Sequence, residues 1–351
     1  MSVFEAPEFD DHEQVLFVNE PEVGLRAIIA IHNTRLGPAL GGCRMWSYAN
    51  EQEAIRDVLR LSRGMTYKAA VLDCGLGGGK SVIIGDPYRE KTPELFHAMG
   101  KAIDSLNQRY IAGEDIGTNP LDMREILAAT RCVSCLLEED GGYGDPAPMT
   151  ALGVFCAIQA GLEHALGALR LEGVHVAVQG VGNVGMHLCR LLHEAGARLT
   201  VSDVHEDNLN AAVEIFGARV FAPESIYRAD VDVFAPCAMG AILNDTTIAQ
   251  LRAKVVAGAA NNQLDRSDHG QMLADRGIAY LPDYVANGGG LISCAAEWYG
   301  EDIKEVPGEV RGIYATCKDI LERAVSSGVT TSVAADQIAE ERFKPQGQSA
   351  Q

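Results

Sequence analysis

Basic residues are scarce in this chain. Twenty-nine Lys and Arg stand against 48 Asp and Glu in 351 residues, a net charge of −19. Phosphate repels such a chain, which argues against nucleic acid or an anionic membrane surface as a partner. No uninterrupted apolar run reaches the roughly 18 residues of a membrane span, so no transmembrane helix is expected. The acidic opening, MSVFEAPEFDDHE, lacks the basic start and apolar core of a secretory leader. Cysteine spacing offers no framework either. The nine cysteines are odd in number and scattered among apolar residues, and they read as reduced thiols of a cytoplasmic protein. Cys132 and Cys135 make one C-x-x-C pair with no second pair at zinc spacing, so no metal is expected. No internal repeat is evident.

What is present centres on residues 171–205, LEGVHVAVQGVGNVGMHLCRLLHEAGARLTVSDVH. Val174, Val176 and Val178 alternate as in a buried strand. Gly180, Gly182 and Gly185 follow in G-x-G-x-x-G spacing. A helical pattern begins at once (Val184, Leu188, Leu191, Leu192) and stops at Gly196. A second strand, Leu199 to Val201, ends at Asp203. In such a unit Gly180 makes the tight turn, Gly182 lets a pyrophosphate approach the backbone, and Gly185 lets helix and strand pack closely. The pyrophosphate would lie on free N–H groups at the helix N-terminus, beside Asn183 and Val184. Asp203 is placed to accept hydrogen bonds from a ribose diol. It would repel a 2′-phosphate, and no Arg or Lys follows closely, so NAD is expected rather than NADP.

A chain of this length suggests two α/β domains. Gln14–Val18 and Leu25–Ile31 read as strands, and Thr34–Arg44 as a Gly/Pro-rich turn. Glu51–Met65 has helical spacing. Leu76–Gly79 reads as a glycine loop leading to Lys80 and a short strand, Val82–Ile84. Thr92 is a plausible cap for a helix reaching Leu106. Tyr110–Ala112 reads as a strand and Leu121–Ala129 as a helix. The Gly/Pro/acid-rich segment Glu138–Pro148 is the expected boundary, with Thr150 capping a helix over Ala151–Leu166. Further parallel strands are expected at Val231–Ala235, Lys254–Ala257 and Ala279–Leu281. The turns after the first two, Pro236–Ala238 and Gly258–Asn262, should lie beside the dinucleotide, because ligands in open α/β sheets bind beyond the C-terminal strand ends. Ile303–Ser326 and Thr331–Arg342 read as helical, and Lys344–Gln351 as a frayed tail.

Gly77-Gly78-Gly79-Lys80-Ser81 invites comparison with the phosphate loop G-x-x-x-x-G-K-[ST]. Its first glycine would fall on Cys74, and a strand rather than a helix follows Lys80, so that motif is rejected. Lys68, Lys80 and Asp115 suit an α-amino acid if they converge. One lysine would pair with the carboxylate. The other, desolvated beside a second cation, would have a depressed pKa and act as a base. Taken singly, each reads as a surface charge.

From about Gln14 to Arg342 the chain resembles the glutamate/leucine/phenylalanine/valine dehydrogenase family. The resemblance is carried by Gly37-Pro38-Ala39-Leu40-Gly41-Gly42, Met65-Thr66-Tyr67-Lys68, Gly77-Gly78-Gly79-Lys80, Glu114-Asp115-Ile116-Gly117-Thr118, Ala257-Gly258-Ala259-Ala260-Asn261-Asn262 and Pro282-Asp283-Tyr284 with Asn287. It implies NAD-dependent oxidative deamination of an L-amino acid to a 2-oxo acid and ammonia, and the reverse. It implies a substrate and oligomerisation domain over 1–148, joined by the C-terminal helix of 331–351, and a Rossmann NAD-binding domain over 149–330, with the active-site cleft between them. A homo-oligomer, dimer or octamer, follows by the same resemblance.

By that resemblance Lys68 binds the substrate carboxylate, with main chain near Gly41 and the Asn262 side chain. Lys80 is the general base toward water, and Asp115 handles the amino group and its proton. Thr150, Asn183, Asp203, Ala238, Asn261 and Asn287 look like cofactor contacts. The side-chain pocket, Leu40, Gly113, Leu291 and Cys294, is apolar, which argues against glutamate because a buried unpaired carboxylate is costly. Branched-chain members usually carry alanine and valine where this chain has Gly113 and Leu291. A missing methyl at 113 is expected to open space for a flat ring, which favours phenylalanine over leucine by a small margin, with both accepted. The alternative is a branched-chain-specific leucine/valine dehydrogenase. A 2-hydroxy-acid dehydrogenase would want a His–acid pair and a carboxylate-binding Arg, and His32 and His193 both read as structural. A non-catalytic NAD-binding sensor or scaffold is the remaining rival, and the presence of Lys68, Lys80 and Asp115 argues against it.

Overall fold

The structure, a computed structural model, describes residues 2–167 and 170–344. They form two compact units. The first holds 2–145, Cys294–Ile303 and 339–344, and the second holds Pro146–Ser293 and Lys304–Ile338. Two segments fall elsewhere than the division at 148 and 330 would put them. Cys294–Ile303 belongs to the first unit because residues 134–143 hold it. Ser134 Oγ donates to the Cys294 carbonyl at 3.0 Å, and the Glu297 carboxylate accepts from the N–H groups of Leu136 and Tyr143 at 3.2 and 3.0 Å. Residues 331–338 belong to the second unit, where Tyr284 Oη donates to Asp336 at 2.7 Å. The tail after Lys344 lies outside the described residues.

The first unit is a five-stranded mixed sheet of β1 (Gln14–Glu20), β2 (Leu25–Asn33), β3 (Ala39–Trp46), β4 (Gly77–Ile84) and β5 (Tyr110–Glu114), in the order β1-β2-β4-β3-β5. β2 is antiparallel to β1 and β4, and β3 is parallel to β4 and β5. α1 (Glu51–Leu72) covers one face, packing Ala54, Ile55, Val58 and Leu59 on Ile28, Ala30 and Val82. α2 (Pro93–Asp104) and α3 (Pro120–Leu127) cover the other, over Ile29, Ile31, Met45 and Tyr110. Each fully buried Leu, Ile or Val in these layers contributes about 1.5–3 kcal/mol.

Two sequence expectations change here. Thr34–Arg44 is not all turn: β3 begins at Ala39 and lies between β4 and β5. The glycines of 77–79 are not a loop but the first half of β4. A Cβ at Gly78 would stand 2.0 Å from the Thr66 backbone nitrogen, so the missing side chain lets α1 lie directly on the strand. α1 also runs past Met65 to Leu72, because Ala69, Ala70 and Val71 are fully buried. Lys68 is therefore helical.

The second unit opens with α4 (Ala147–Leu166), followed by β6 (His175–Gln179), α5 (Asn183–Glu194), β7 (Arg198–Ser202), α6 (Glu206–Phe216), β8 (Arg219–Val220), β9 (Val233–Pro236), α7 (Asp245–Gln250), β10 (Val255–Val256), α8 (His269–Asp275) and β11 (Ala279–Tyr280). Then come α9 (Asp283–Ala286), α10 (Gly289–Tyr299), α11 (Val306–Val310), α12 (Ile313–Ser327) and α13 (Thr331–Phe343). The expected helix over Ile303–Ser326 is thus two helices. The sheet is wholly parallel, ordered β11-β10-β9-β6-β7-β8. Numbered from β6 this is 3-2-1-4-5-6, the doubly wound Rossmann order, with its switch point between β6 and β9. Thr150 is not the cap of α4. The helix starts at Ala147 after Pro146, since proline in a first turn forfeits no hydrogen bond, and Thr150 Oγ1 donates back to the Pro146 carbonyl at 3.1 Å. α4 has the length and hydropathy of a membrane span, but it is a core helix, more than half buried against neighbours that include α5 and α12.

Candidate active site

Strand alternation gathers the first group of residues. On β4, Val82 enters the layer under α1, so Gly78 and Lys80 leave the sheet on that same face. On β3, Ala39, Cys43 and Met45 point to the opposite core, which puts Leu40, Gly42 and Arg44 on the Lys80 face. On β5, Tyr110 and Ala112 join the opposite core, and Ile111 and Gly113 share the Lys80 face. Asp115 follows directly, its N–H donating to Thr118 Oγ1 at 2.9 Å while that hydroxyl donates to the Cys43 carbonyl.

Lys80 Nζ lies 3.0 Å from Asp115 Oδ2, and Arg44 Nε lies 2.7 Å from the same oxygen. The Arg44 guanidinium reaches on to Asp57 of α1 at 2.8 Å, where Tyr48 Oη also donates at 2.8 Å. The Lys80 side chain is only 6% exposed. Burial pulls its pKa below the ordinary lysine value, and the neighbouring Arg44 adds to this although Asp115 opposes it. Burial by itself would raise the Asp115 carboxyl, but Lys80 and Arg44 outweigh it and keep that group below the usual carboxylate range. A buried amine with a depressed pKa beside an ionised carboxylate is an arrangement for taking and passing a proton. A Cβ at Gly42 would stand 2.6 Å from Asp115 Cβ and 3.1 Å from Lys80 Nζ, so glycine there is what lets the pair approach β3.

Arg44 and Gly42 were missed as site residues from sequence. The signal was in reach: once 39–46 is a strand, Leu40, Gly42 and Arg44 share one side. Lys68 lies on α1, half a turn beyond the Thr66 that touches Gly78. Gly41 is in β3, and its carbonyl accepts from Tyr110 Oη at 2.7 Å. Leu40 is buried opposite Gly78 and Ile111. Beside Gly113 the expected open space is absent, because Cys135 Sγ lies 3.1 Å from where a Cβ would stand. Cys294 is buried in the same unit. His32 is structural, its Nδ1 at 2.7 Å from Thr66 Oγ1, and burial lowers its pKa to about 4. His193 is exposed on α5.

In the second unit the dinucleotide motif sits at the switch point. Gly180 holds a left-handed backbone (φ 92) at the end of β6, and a Cβ there would meet Ala238 Cβ at 2.7 Å. The turn after β9 thus abuts the glycine loop. Gly182 caps α5, with Asn183 and Val184 in its first turn, and a Cβ on Gly182 would meet nothing within 4 Å. A Cβ at Gly185 would strike the Gly180 carbonyl at 2.0 Å. Asp203, just past β7, accepts from the Val181 N–H at 2.8 Å and the His205 N–H at 2.9 Å. Asn287 Nδ2 donates to Asn261 Oδ1 at 2.7 Å, fixing the turn after β10. Asn262 holds a left-handed backbone (φ 52). Thr150 Oγ1 faces Gly290 closely, 2.7 Å from a Cβ placed there, and Leu291 is buried on α10. These residues fit a dinucleotide: N–H groups at a helix start, a close backbone, and an acid at the next strand end.

Residues 12–131 match the family model described as the Glu/Leu/Phe/Val dehydrogenase dimerisation domain, and 141–207 with 204–341 match the Glutamate/Leucine/Phenylalanine/Valine dehydrogenase model. A leucine dehydrogenase of Bacillus subtilis (strain 168) is 50% identical over 98% of this chain and 94% of its own. A phenylalanine dehydrogenase of Bacillus thermotolerans is 44% identical over 96% of this chain and 90% of its own. The crystal structure of L-tryptophan dehydrogenase from Nostoc punctiforme superposes with a TM-score of 0.85 at 48% identity, covering 95% of this chain and 96% of that one. Sheet order, glycine loop and near full-length identity agree, and the chain belongs to the glutamate/leucine/phenylalanine/valine dehydrogenase family.

Proposed function

We propose that the chain catalyses the NAD-dependent, reversible oxidative deamination of an apolar L-amino acid to its 2-oxo acid and ammonia. The observation that carries the assignment of chemistry is the buried Lys80–Asp115–Arg44 cluster on one sheet face. Lys68 pairs with the substrate carboxylate, assisted by main chain near Gly41 and by Asn262. Asp115 holds the amino group and takes its proton, so that the amine is neutral when hydride leaves Cα. NAD, when bound, supplies the hydride acceptor. Neutral Lys80 then removes a proton from water as it adds to the iminium carbon. The carbinolamine so formed loses ammonia and leaves the 2-oxo acid. The lysine ammonium and Arg44 stabilise negative charge that develops on the way.

Thr150, Gly180, Gly182, Asn183, Val184, Gly185, Asp203, Ala238, Asn261 and Asn287 are the residues proposed to hold NAD. Asp203 would accept from both ribose hydroxyls. Asp203→Ala is expected to weaken NADH binding by about 10–100-fold, the loss of a charged hydrogen-bonding partner, and to narrow the preference over NADPH. Titration of nucleotide fluorescence with both cofactors checks this.

The direct test is NADH formation with L-Leu, L-Ile, L-Val, L-Phe, L-Trp and L-Glu, one at a time at alkaline pH, with NADP as control. Apolar substrates should be oxidised and L-Glu should not. Inactivity with every one would overturn the assignment. Assembly as a homo-oligomer, dimer or octamer, is supported by the dimerisation-domain match and by β1, an edge strand with Phe17 half exposed. A cytoplasmic location is supported by the nine unbridged cysteines.

A further inference from the structure

The residue that occupies the space beside Gly113 comes from a different segment. After α3 the chain returns alongside β5. Ala112 N–H donates to the Cys132 carbonyl at 3.0 Å, Ser134 N–H donates to the Ala112 carbonyl at 2.8 Å, and Ala112 bridges Val133 in parallel. At Cys135 the backbone turns left-handed (φ 63), a conformation that L side chains adopt reluctantly. That turn directs the side chain back onto β5, with Sγ 3.1 Å from the Cβ position of Gly113. The Cys294 thiol lies beside this sulfur, and together with burial it pushes the Cys135 thiol well above its ordinary pKa. Cys294 is pinned in turn by Ser134 Oγ on its carbonyl. Sulfur, glycine and second thiol thus form one packed group, two residues from Asp115 along β5.

We propose that Cys135 is a specificity-determining residue: its sulfur replaces the side chain that Gly113 lacks and closes the substrate pocket at the depth of a branched aliphatic amino acid. The inference rests on the amino acid dehydrogenase function proposed above, with Gly113 and Cys294 lining the pocket. It reverses what Gly113 suggests by itself. A missing methyl that is backfilled by sulfur leaves no room for a ring, so leucine-type substrates are preferred to phenylalanine.

Cys135→Gly, Cys135→Ala, Gly113→Ala and the double variant Gly113→Ala/Cys135→Gly test this through kcat/KM for L-Leu and L-Phe. Cys135→Gly suits a left-handed position and should fold. It removes a CH2SH group, more than one methylene, and should raise the Phe-to-Leu ratio of kcat/KM by at least about tenfold, with Cys135→Ala, which removes only the sulfur, moving it the same way by less. Gly113→Ala should impair oxidation of both substrates, since its methyl meets the sulfur, and adding Cys135→Gly should restore L-Leu oxidation. An active parent whose ratio does not change in either Cys135 variant, or a double variant no better than Gly113→Ala, overturns this inference alone. A parent that oxidises no apolar amino acid overturns the function and this inference together.

Discussion

Lys80→Ala should lower turnover by about 10³-fold with the best amino acid, the scale of removing a positioned general base. NADH affinity should be unchanged, because the dinucleotide motif is in the other unit. The position of the amine sets this expectation. It is carried by a central strand, buried, and held at 3.0 Å by Asp115. A surface lysine would be protonated at neutral pH and could not take a proton from water. Burial makes this one deprotonate more readily. Arg44 remains in the variant to pair with Asp115, so the fold should survive, and a melting curve alongside the assay separates lost chemistry from lost structure. Turnover within about tenfold of the parent would remove Lys80 from the role of base.

Asp115→Asn should cost about 10²-fold or more in kcat, and it carries a signed pH effect as well. Activity in the deamination direction requires neutral Lys80, so it rises as pH passes the lysine pKa. Asp115 raises that pKa against burial and Arg44. Without the carboxylate charge the rising limb should move to lower pH. Arg44→Met should move it the other way, because a cation that lowers the lysine pKa has gone. Rate profiles for kcat across neutral and alkaline pH give both shifts. Shifts of the same sign in the two variants would mean that Lys80 is not the group being titrated.

Much of the second unit was legible in sequence because its signals are local. Val174–Val178, the three glycines and Asp203 lie within one βαβ turn of chain, and the structure brings them together in that order. The first unit was harder to read. Glycine and proline in 34–44 and 76–79 are usually turn residues, and here Gly41, Gly42 and the glycines of 77–79 lie within strands because α1 and neighbouring strands press against backbone. That contact is tertiary and has no local signature. Misplacing β3 hid Arg44, whose partnership with Asp115 spans 71 residues. Gly113 was identified as a pocket residue, but the sulfur that fills its space arrives from a loop 22 residues later and enters through an unusual backbone angle. A glycine on a strand says what its own side chain vacates, and it does not say what else moves in.

The glycines around Lys80 also mark which parts of this enzyme can vary by descent or by selection in the laboratory. A Cβ at Gly41 would stand 1.8 Å from the Gly79 carbonyl oxygen, and one at Gly78 would meet the backbone of Thr66. These obstacles are main chain, so no rotamer change relieves them, and any substitution must displace a strand or a helix. The floor beneath the lysine is therefore closed to gradual change. Cys135 and Cys294 meet Gly113 and each other through their side chains and can change in small steps. New substrate ranges in this lineage would be reached through those positions, while the strand carrying the amine stays as it is.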